Sequence, residues 1–95
     1  AAEVLPDSPE VLDTLGWVYY RTDVPALAVQ ALTLCVQKAP RNASCHYHLG
    51  LAHAKAGDAV SGRSALVRAL ALDRDATWAN DARRAIARLD ESPSQ

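Results

Sequence analysis

The sequence predicts an all-α fold built from repeated helix pairs, and three observations support this prediction. Hydrophobic residues make up 49% of the 95 residues, yet Phe and Met are absent and the apolar content is mostly Ala, Leu and Val. Such a composition favours close-packed helices, whereas a β-sandwich needs β-branched and aromatic runs. Apolar residues also recur at helical spacing, and one pattern occurs twice along the chain. A chain of this length fits one small domain.

The repeated pattern has an offset of 34 residues. Leu15 and Gly16 in PEVLDTLGWVYY correspond to Leu49 and Gly50 in ASCHYHLGLAHA. Residues 28–32 correspond to residues 62–66 in the same register. Because the register holds through helix and loop alike, we interpret the two stretches as copies of one helix-turn-helix unit. Each glycine is expected to admit a neighbouring helix at a distance that no side chain would allow.

Five helices are predicted in chain order, each with a periodic apolar face. Their ranges are 9–21, 25–38, 43–55, 59–72 and 77–89. In the first helix, the residues at positions i, i+3, i+4 and i+7 are Leu12, Leu15, Gly16 and Tyr19. Side chains at this spacing share one face of a helix, which we expect to be the face directed to the core.

Capping and breaking residues mark the boundaries between these helices. Ser8 precedes Pro9, so a capping hydroxyl comes directly before a first-turn proline. The N-caps expected for the last three helices are Asn42, Asp58 and Asp75. Pro40 ends the second helix, because a proline excludes its predecessor from helical geometry. Gly57 tolerates the left-handed conformation that a tight turn before Asp58 needs.

With these residues identified, the chain strongly resembles the tetratricopeptide repeat family, whose unit is a helix-turn-helix of 34 residues. The matches in the first repeat are Leu12, Leu15, Gly16, Tyr19, Ala28, Leu32, Cys35 and Pro40, and those in the second are Leu49, Gly50, Leu66 and Ala69. The second repeat departs from the family pattern at His46, His53, Gly62 and Arg74. The resemblance covers about nine-tenths of the chain.

The resemblance implies a helix-turn-helix solenoid of two repeats and a capping helix. The expected segments are a linker at 1–8, repeats at 9–42 and 43–76, a C-terminal capping helix at 77–89 and a disordered tail at 90–95. The run from Leu5 to Trp17 is similar to bacterial multi-repeat proteins, including those of polysaccharide export and envelope assembly. The chain lacks an initiator Met, so we expect it to be the C-terminal part of a longer repeat array.

In this family the first helices of successive repeats line a concave groove, and the resemblance implies a protein-binding site there. The residues expected on it are Glu10, Asp13, Trp17, Tyr20, Arg21, Tyr47, His48, Leu51, Lys55, Trp78 and Arg88. Aromatic residues with a cationic rim are typical of binding hot spots. The alternative is that Trp17 packs on a neighbouring helix and Trp78 covers the last repeat. Some members clamp a peptide carboxylate with Lys and Asn, but Asp13, Trp17 and His48 stand in those positions, so that activity is not expected.

Charge is unevenly distributed along the chain, although the formal net charge is −1. Residues 1–37 contain five acidic residues and one Arg, whereas residues 38–89 contain nine Lys or Arg and four Asp. Ends of opposite sign suit head-to-tail stacking or an acidic partner, although a simply solvated surface explains them too. The six Arg between Arg63 and Arg88 are spread over two helices, which disfavours nucleic-acid binding. The sequence has no apolar run long enough to span a membrane, so membrane insertion is not predicted.

The cysteines and histidines raise the question of a metal site. Cys45 and His48 lie at i, i+3 and could reach one ion, but His46 and His53 are expected in core positions on another face. Cys35 stands where the repeat has a small residue, and its spacing leaves a bridge to Cys45 open. No nucleophile triad, phosphate-binding glycine loop or paired carboxylate motif is present. We therefore predict no metal, no cofactor and no enzymatic activity.

The alternative function is self-assembly. About three repeats are usually needed for stability, and nothing precedes the first helix to cover its outer side. Val4, Leu5, Val11 and Val18 are the residues expected to form this exposed apolar edge. Such an edge predicts a homo-oligomer formed through the first helix, or an array-terminal scaffold of a bacterial multiprotein assembly.

Overall fold

The computed structural model describes residues 7–91 and confirms the all-α fold, with five helices and no strand within that range. The helices are α1 (Pro9–Arg21), α2 (Pro25–Lys38), α3 (Ala43–Lys55), α4 (Ala59–Leu72) and α5 (Ala79–Glu91). The first four have the predicted bounds. The fifth begins and ends two residues later than predicted.

The start of α5 differs because residues 73–78 form an extended connection with turns. Asp75 was expected to cap α5, but it lies in this connection, where its backbone N–H donates to the Asp73 carboxylate at 3.2 Å. The Ala79 N–H donates to the Ala76 carbonyl at 2.9 Å, and this tight turn directs the chain into the helix. At the other end, Asp90 pairs with Arg63 of α4 at 2.6 Å, which holds the last turn of α5 in place.

Side-chain caps begin three of the helices, as predicted. Ser8, Asn42 and Asp58 accept from backbone N–H groups of α1, α3 and α4 at 3.4, 3.2 and 3.0 Å. The N-cap of α2 is Val24, which offers no side-chain acceptor. Caps satisfy N–H groups that the first turn of a helix leaves without partners, so α2 lacks a stabilising contact that the other three have.

The helices pack in chain order as neighbouring pairs. Helix α1 packs on α2 and α3 on α4, while α2 also contacts α3 and α4 contacts α5. Helix α3 further contacts both α1 and α5, so the odd-numbered helices are adjacent. This arrangement is compatible with a helical solenoid.

Both repeated glycines lie where helices meet most closely. A Cβ atom at Gly16 would lie 2.3 Å from Cγ of Leu32, a fully buried side chain of α2. A Cβ atom at Gly50 would lie 2.7 Å from Cγ of Leu66 and 2.9 Å from the backbone oxygen of Gly62. These distances are shorter than real Cβ contacts, so the close approach inferred from the sequence is confirmed.

A disulfide between Cys35 of α2 and Cys45 of α3 joins the two helix pairs. Both residues are fully buried, and their Cα atoms are 6.0 Å apart, within the usual range for a bridge. The sequence had left this bridge open, and the structure shows it formed. Cys35 is therefore not a free thiol filling a small core position.

Within residues 7–91, no other helix covers the outer side of α1. Val11 and Val18 each expose 49% of their surface and, with Leu15, line an open apolar groove of about 410 Å³. Val4 and Leu5, predicted to extend this edge, lie outside the described residues. Over residues 7–91, no helix combines the length and the apolar character that crossing a membrane would require.

Candidate functional site

Helix α1 presents one end of an aromatic row. Trp17 and Tyr20 lie three residues apart, and their rings stack with centroids 5.1 Å apart and an interplanar angle of 15°. The guanidinium carbon of Arg21 lies 5.8 Å from the centre of the Trp17 ring. Both rings are partly exposed, so helical spacing places two aromatic faces and a cation together on the surface.

Helix α3, which packs against α1, provides the next two rings of the row. The His48 imidazole lies 4.4 Å from the Trp17 ring and 5.3 Å from the ring of Tyr47. Tyr47 is nearly covered, with 8% of its surface exposed. The α1–α3 contact therefore consists largely of aromatic rings on this side of the molecule.

Trp78 completes the row. Its ring is almost parallel to that of Tyr47, at 5° and 4.6 Å between centroids. The sequence had suggested that Trp78 lies within the fifth helix. In the structure it lies in the turn directly before α5. We call the five rings of Tyr20, Trp17, His48, Tyr47 and Trp78 the aromatic row, which runs in that order from α1 across α3 to the start of α5.

A polar contact beneath the aromatic row fixes the orientation of His48. The Asp13 carboxylate accepts from His48 Nδ1 at 2.6 Å and from the Ser44 hydroxyl at 2.7 Å. The side chains of Asp13 and His48 are each only 17% exposed, so water screens this pair weakly. The carboxylate makes Nδ1 the protonated nitrogen, since a carboxylate can only accept.

This polar contact does not have the geometry of a catalytic triad. In a triad, the imidazole stands between the carboxylate and the hydroxyl and takes the proton of the nucleophile. Here Asp13 stands between the imidazole of His48 and the hydroxyl of Ser44, so the imidazole does not activate that hydroxyl. The arrangement orients a ring and joins α1 to α3.

A groove lies beside the aromatic row, between the C-terminal ends of α1, α3 and α5. Its volume is about 290 Å³, and its lining residues are Tyr20, Leu51, Ala54, Lys55, Ala85, Arg88 and Leu89. Lys55 Nζ lies 4.6 Å above the Tyr20 ring, donates to the Tyr20 carbonyl at 3.1 Å and is 3.5 Å from the Asp23 carboxylate. Arg88 is exposed on the α5 side. The groove thus has an aliphatic floor and a cation at each side.

Burial affects the ionisation of Tyr47. Desolvation raises the pKa of its phenol, and the negative charge of Asp81 raises that pKa further. The phenol therefore stays neutral at physiological pH, and a neutral phenol is compatible with its position between two rings.

The structure brings together ten of the eleven residues predicted for the groove. Glu10 is the exception: it accepts from the Ser8 hydroxyl at 2.9 Å and borders the open apolar groove of Val11 and Val18. Both tryptophans pack on α3, as the packing interpretation expected, and both remain partly exposed, as partner binding requires. The aromatic spacing in the sequence indicated the row, but no sequence signal indicated the contact between Asp13 and His48.

The two remaining histidines lie apart from the aromatic row. His46 and His53 were expected in core positions, but they are only partly buried and line a surface groove between α3 and α4, so that expectation was wrong. His46 Nε2 is 2.9 Å from the Pro40 carbonyl, and His53 Nδ1 is 4.0 Å from the Asp58 carboxylate. The Asp13 carboxylate lies within 4.8 Å of both cysteine sulfurs, but these sulfurs are bonded to each other and are not thiolate ligands.

A comparison with protein-family models found no match for this chain, and a search of curated proteins found none either.

Proposed function

We propose that this chain is a non-catalytic protein–protein interaction module of the tetratricopeptide-repeat type. It binds a partner segment along the aromatic row and the adjacent groove. The observation that carries this proposal is the aromatic row itself, in which five partly or largely buried rings follow one another across α1, α3 and the turn before α5. Aromatic residues are enriched in the centres of protein interfaces, where they bury much area at a low cost in entropy.

The repeat assignment is supported by contacts that recur at the 34-residue offset. Gly16 lies against Leu32 in the first helix pair, and Gly50 lies against Leu66 in the second. One close contact between a glycine and a leucine occurs in many helical proteins, whereas two at the same offset are typical of a repeat.

The groove indicates what kind of partner segment this surface would bind. Leu51, Ala54 and Ala85 provide an apolar floor that fits one aliphatic or aromatic side chain. Lys55 and Arg88 flank this floor with positive charge and favour acidic residues beside the anchor. We therefore propose a ligand that combines an apolar anchor with acidic neighbours, in a helical or an extended segment.

Preorganisation supports this proposal. The Asp13 carboxylate holds the His48 ring against Trp17, and the Trp78 ring is held against Tyr47. Rings that are already fixed lose little side-chain entropy when a partner binds, so more of the contact energy appears as affinity.

The test is binding of a peptide library in which one Leu, Phe or Trp is flanked by Asp or Glu. Tryptophan fluorescence reports binding, because Trp17 and Trp78 are the chain's two tryptophans. Trp17→Ala should weaken the selected peptides at least about tenfold while leaving the far-UV circular dichroism spectrum unchanged. Val60→Ala is the matched control, since Val60 is 84% exposed on α4 and outside this surface.

Two results would overturn the proposal. One is a library in which no peptide binds the wild-type chain. The other is a Trp17→Ala variant that loses its helical spectrum, because that result makes Trp17 a core residue and not a binding residue.

The alternative, a homo-oligomerising or array-terminal scaffold, is favoured by a different observation. Val11 and Val18 are exposed on the outer side of α1, away from the aromatic row. In this alternative the aromatic row only joins α1 to α3. Substitutions at Val11 or Val18 that change the molecular mass, together with unchanged peptide binding, distinguish it from the first proposal.

A further inference from the structure

The outer face of α1 carries an apolar stripe from Val11 to Val18. Val11, Leu15 and Val18 share this face with Thr14, and the groove they line is almost entirely apolar. Val11 and Val18 are two turns apart, at about 10.5 Å along the helix axis. This face therefore offers a stripe long enough to contact another helix.

Two residues of opposite charge lie beside this stripe, on the flank between it and the aromatic row, where Arg21 also lies against the Trp17 ring. Glu10 lies in the first turn of α1 and Arg21 in the last turn. Eleven residues separate them, close to three full turns at 3.6 residues a turn, so both side chains project from the same flank of the helix. Neither forms an ion pair with another residue of the part of the chain that the structure describes.

We propose that a second copy of this chain covers this face, with the two α1 helices antiparallel about a two-fold axis. In an antiparallel pair related by such an axis, the same flank of each helix meets the same flank of the other, in the reverse direction. Glu10 of each copy then faces Arg21 of the other copy, so the dimer contains two equivalent ion pairs. Val11 and Val18 of the two copies alternate along the contact with Leu15 near its centre.

The antiparallel arrangement also agrees with the helix dipoles. The positive N-terminal end of each α1 lies beside the negative C-terminal end of the other. A parallel arrangement would place both Glu10 side chains at one end of the contact and both Arg21 side chains at the other, so neither would meet an opposite charge, and charges of one sign at one end are unfavourable. Closed two-fold dimers are also the commonest oligomers of soluble proteins.

Stacking of α1 on the other end of a second copy is disfavoured by the surface of α5. The exposed residues of α5 include Asn80, Arg83, Arg84 and Arg88. Docking the valines of α1 against this surface would desolvate charged groups, among them the Arg83 guanidinium and the ion pair of Arg84 with Asp81. The self-complementary α1 face has no such cost.

The area available sets the expected affinity. One helix face buries less than the ~800 Å² a side of a typical stable interface, so the dimer should be weak and reversible. We expect association between about 10 μM and about 1 mM protein, and greater association at low ionic strength because exposed ion pairs are screened by salt.

Sedimentation velocity over this concentration range tests the dimer. The wild-type chain should shift from monomer towards twice the monomer mass as concentration rises. Val18→Lys should remain monomeric, because it places a charge within the apolar contact, on the side of Leu15 where Val18 of one copy meets Val11 of the other. Val67→Lys is the matched control: Val67 has a similar exposure, 43% against 49%, but lies on α4, and this variant should associate like the wild type.

A charge exchange tests the antiparallel register. Glu10→Arg and Arg21→Glu should each weaken association about tenfold, because each places like charges opposite one another. The variant with both substitutions should recover most of the wild-type association, since both ion pairs are then reversed. Far-UV circular dichroism should be the same for all of these proteins, because both positions are exposed.

Three results would overturn this inference. They are a wild-type chain that stays monomeric up to about 1 mM, an association that Val18→Lys leaves unchanged, and a doubly substituted variant that associates no better than the single variants. Peptide binding is measured separately on Val18→Lys, because Arg21 also lies against the Trp17 ring of the aromatic row. A monomeric Val18→Lys variant that still binds peptide separates this inference from the proposed function.

Discussion

The two helix pairs turn in the same way but use different residues to do so. The turn between α1 and α2 contains Asp23 with φ of 68°, and the turn between α3 and α4 contains Gly57 with φ of 94°, 34 residues later. The next residue is Val24 in the first turn and Asp58 in the second, where only Asp58 caps its helix. The second turn therefore has the residue types that its backbone favours, whereas the first adopts the same shape without them.

The two helix pairs also differ in the residues that line the contact between their helices. Position 28 is Ala and position 62 is Gly, although the two positions are equivalent in the repeat. A Cβ atom at Gly50 would meet the Gly62 carbonyl of α4 as well as the Leu66 side chain, whereas the three atoms nearest to a Cβ atom at Gly16 all belong to the Leu32 side chain. Both turns therefore reach a positive φ with different residues, and the two glycine contacts differ in whether a backbone atom is among the nearest neighbours.

The largest expected effect on the free energy of unfolding comes from removing the disulfide that links the two helix pairs. The Cys35–Cys45 bridge closes a loop over a sequence separation of 10 residues, and a loop of this size corresponds to about 3 kcal/mol of unfolding free energy in the chain-entropy description. Reduction should therefore lower the urea midpoint strongly, as should replacement of both cysteines by Ala. The chain with both cysteines replaced by Ala is the control for the reductant, because it has no disulfide and its urea midpoint should not change when reductant is added. A wild-type midpoint that does not respond to reductant would contradict this prediction.

The next effect concerns the glycines. Gly16→Ala and Gly50→Ala should each destabilise the chain by about 2 kcal/mol, because the added methyl group overpacks a helix contact and outweighs the gain in helix propensity. The two variants should differ in how much stability they regain when the leucine facing the new methyl group is replaced by Val. Leu32→Val should relieve Gly16→Ala, with a coupling energy of about 1 kcal/mol in a double-mutant cycle.

Leu66→Val should relieve Gly50→Ala much less, because the Gly62 carbonyl still lies 2.9 Å from the new Cβ atom. Equal coupling energies in the two cycles would show that the pairs pack alike, contrary to the comparison.

A smaller effect should follow from giving the first turn the residues of the second. Asp23→Gly relieves a left-handed backbone, and Val24→Asp supplies the cap that α2 lacks. Each should raise the free energy of unfolding by about 0.5–1 kcal/mol, visible as a higher midpoint in thermal melts followed by circular dichroism. The reverse exchange at Gly57 and Asp58 should lower the midpoint. No gain from either substitution in the first turn would mean that the tertiary contacts already compensate for its residues.

The smallest effect is a shift in ionisation at Tyr47, whose equivalent in the first repeat is Asp13. The pKa of Tyr47 is raised above its ordinary value of 10.0, chiefly by burial. A raised pKa means that this residue stabilises the fold fully below pH 10 and that the contribution is lost as the pH rises through the folded-state pKa. The difference between tyrosinate absorbance titrations of the wild type and of Tyr47→Phe isolates this residue. A midpoint at or below 10.0 would contradict its burial between rings.

Much of the local structure could be predicted from the sequence. The bounds of the first four helices, the caps at Ser8, Asn42 and Asp58 and the close contacts at Gly16 and Gly50 depend on residues near in sequence or on the repeat register. Helix α5 was displaced by two residues because a turn ending at Trp78 does not disturb the apolar period that was used to locate the helix. A period identifies a helix more reliably than it identifies its first residue.

The candidate site was predictable in its residues but not in its contacts. Helical spacing placed Trp17 and Tyr20 on one face of α1, and the resemblance to the repeat family implied that Tyr47 would share that surface. The contact of Asp13 with His48 joins residues 35 positions apart. It depends on the distance between α1 and α3, which helical spacing does not give. The partial exposure of His46 and His53 also depends on that packing, since repeat positions describe an ideal unit and not the volume available beside it.

The disulfide has one more consequence, which concerns proteolysis. The connection between α2 and α3 is short, and its Arg41 is exposed, so trypsin can cleave after this residue. The bridge between Cys35 and Cys45 spans the cleavage point. A nicked molecule would therefore keep both halves attached, migrate as one species under non-reducing conditions and separate into two fragments only after reduction.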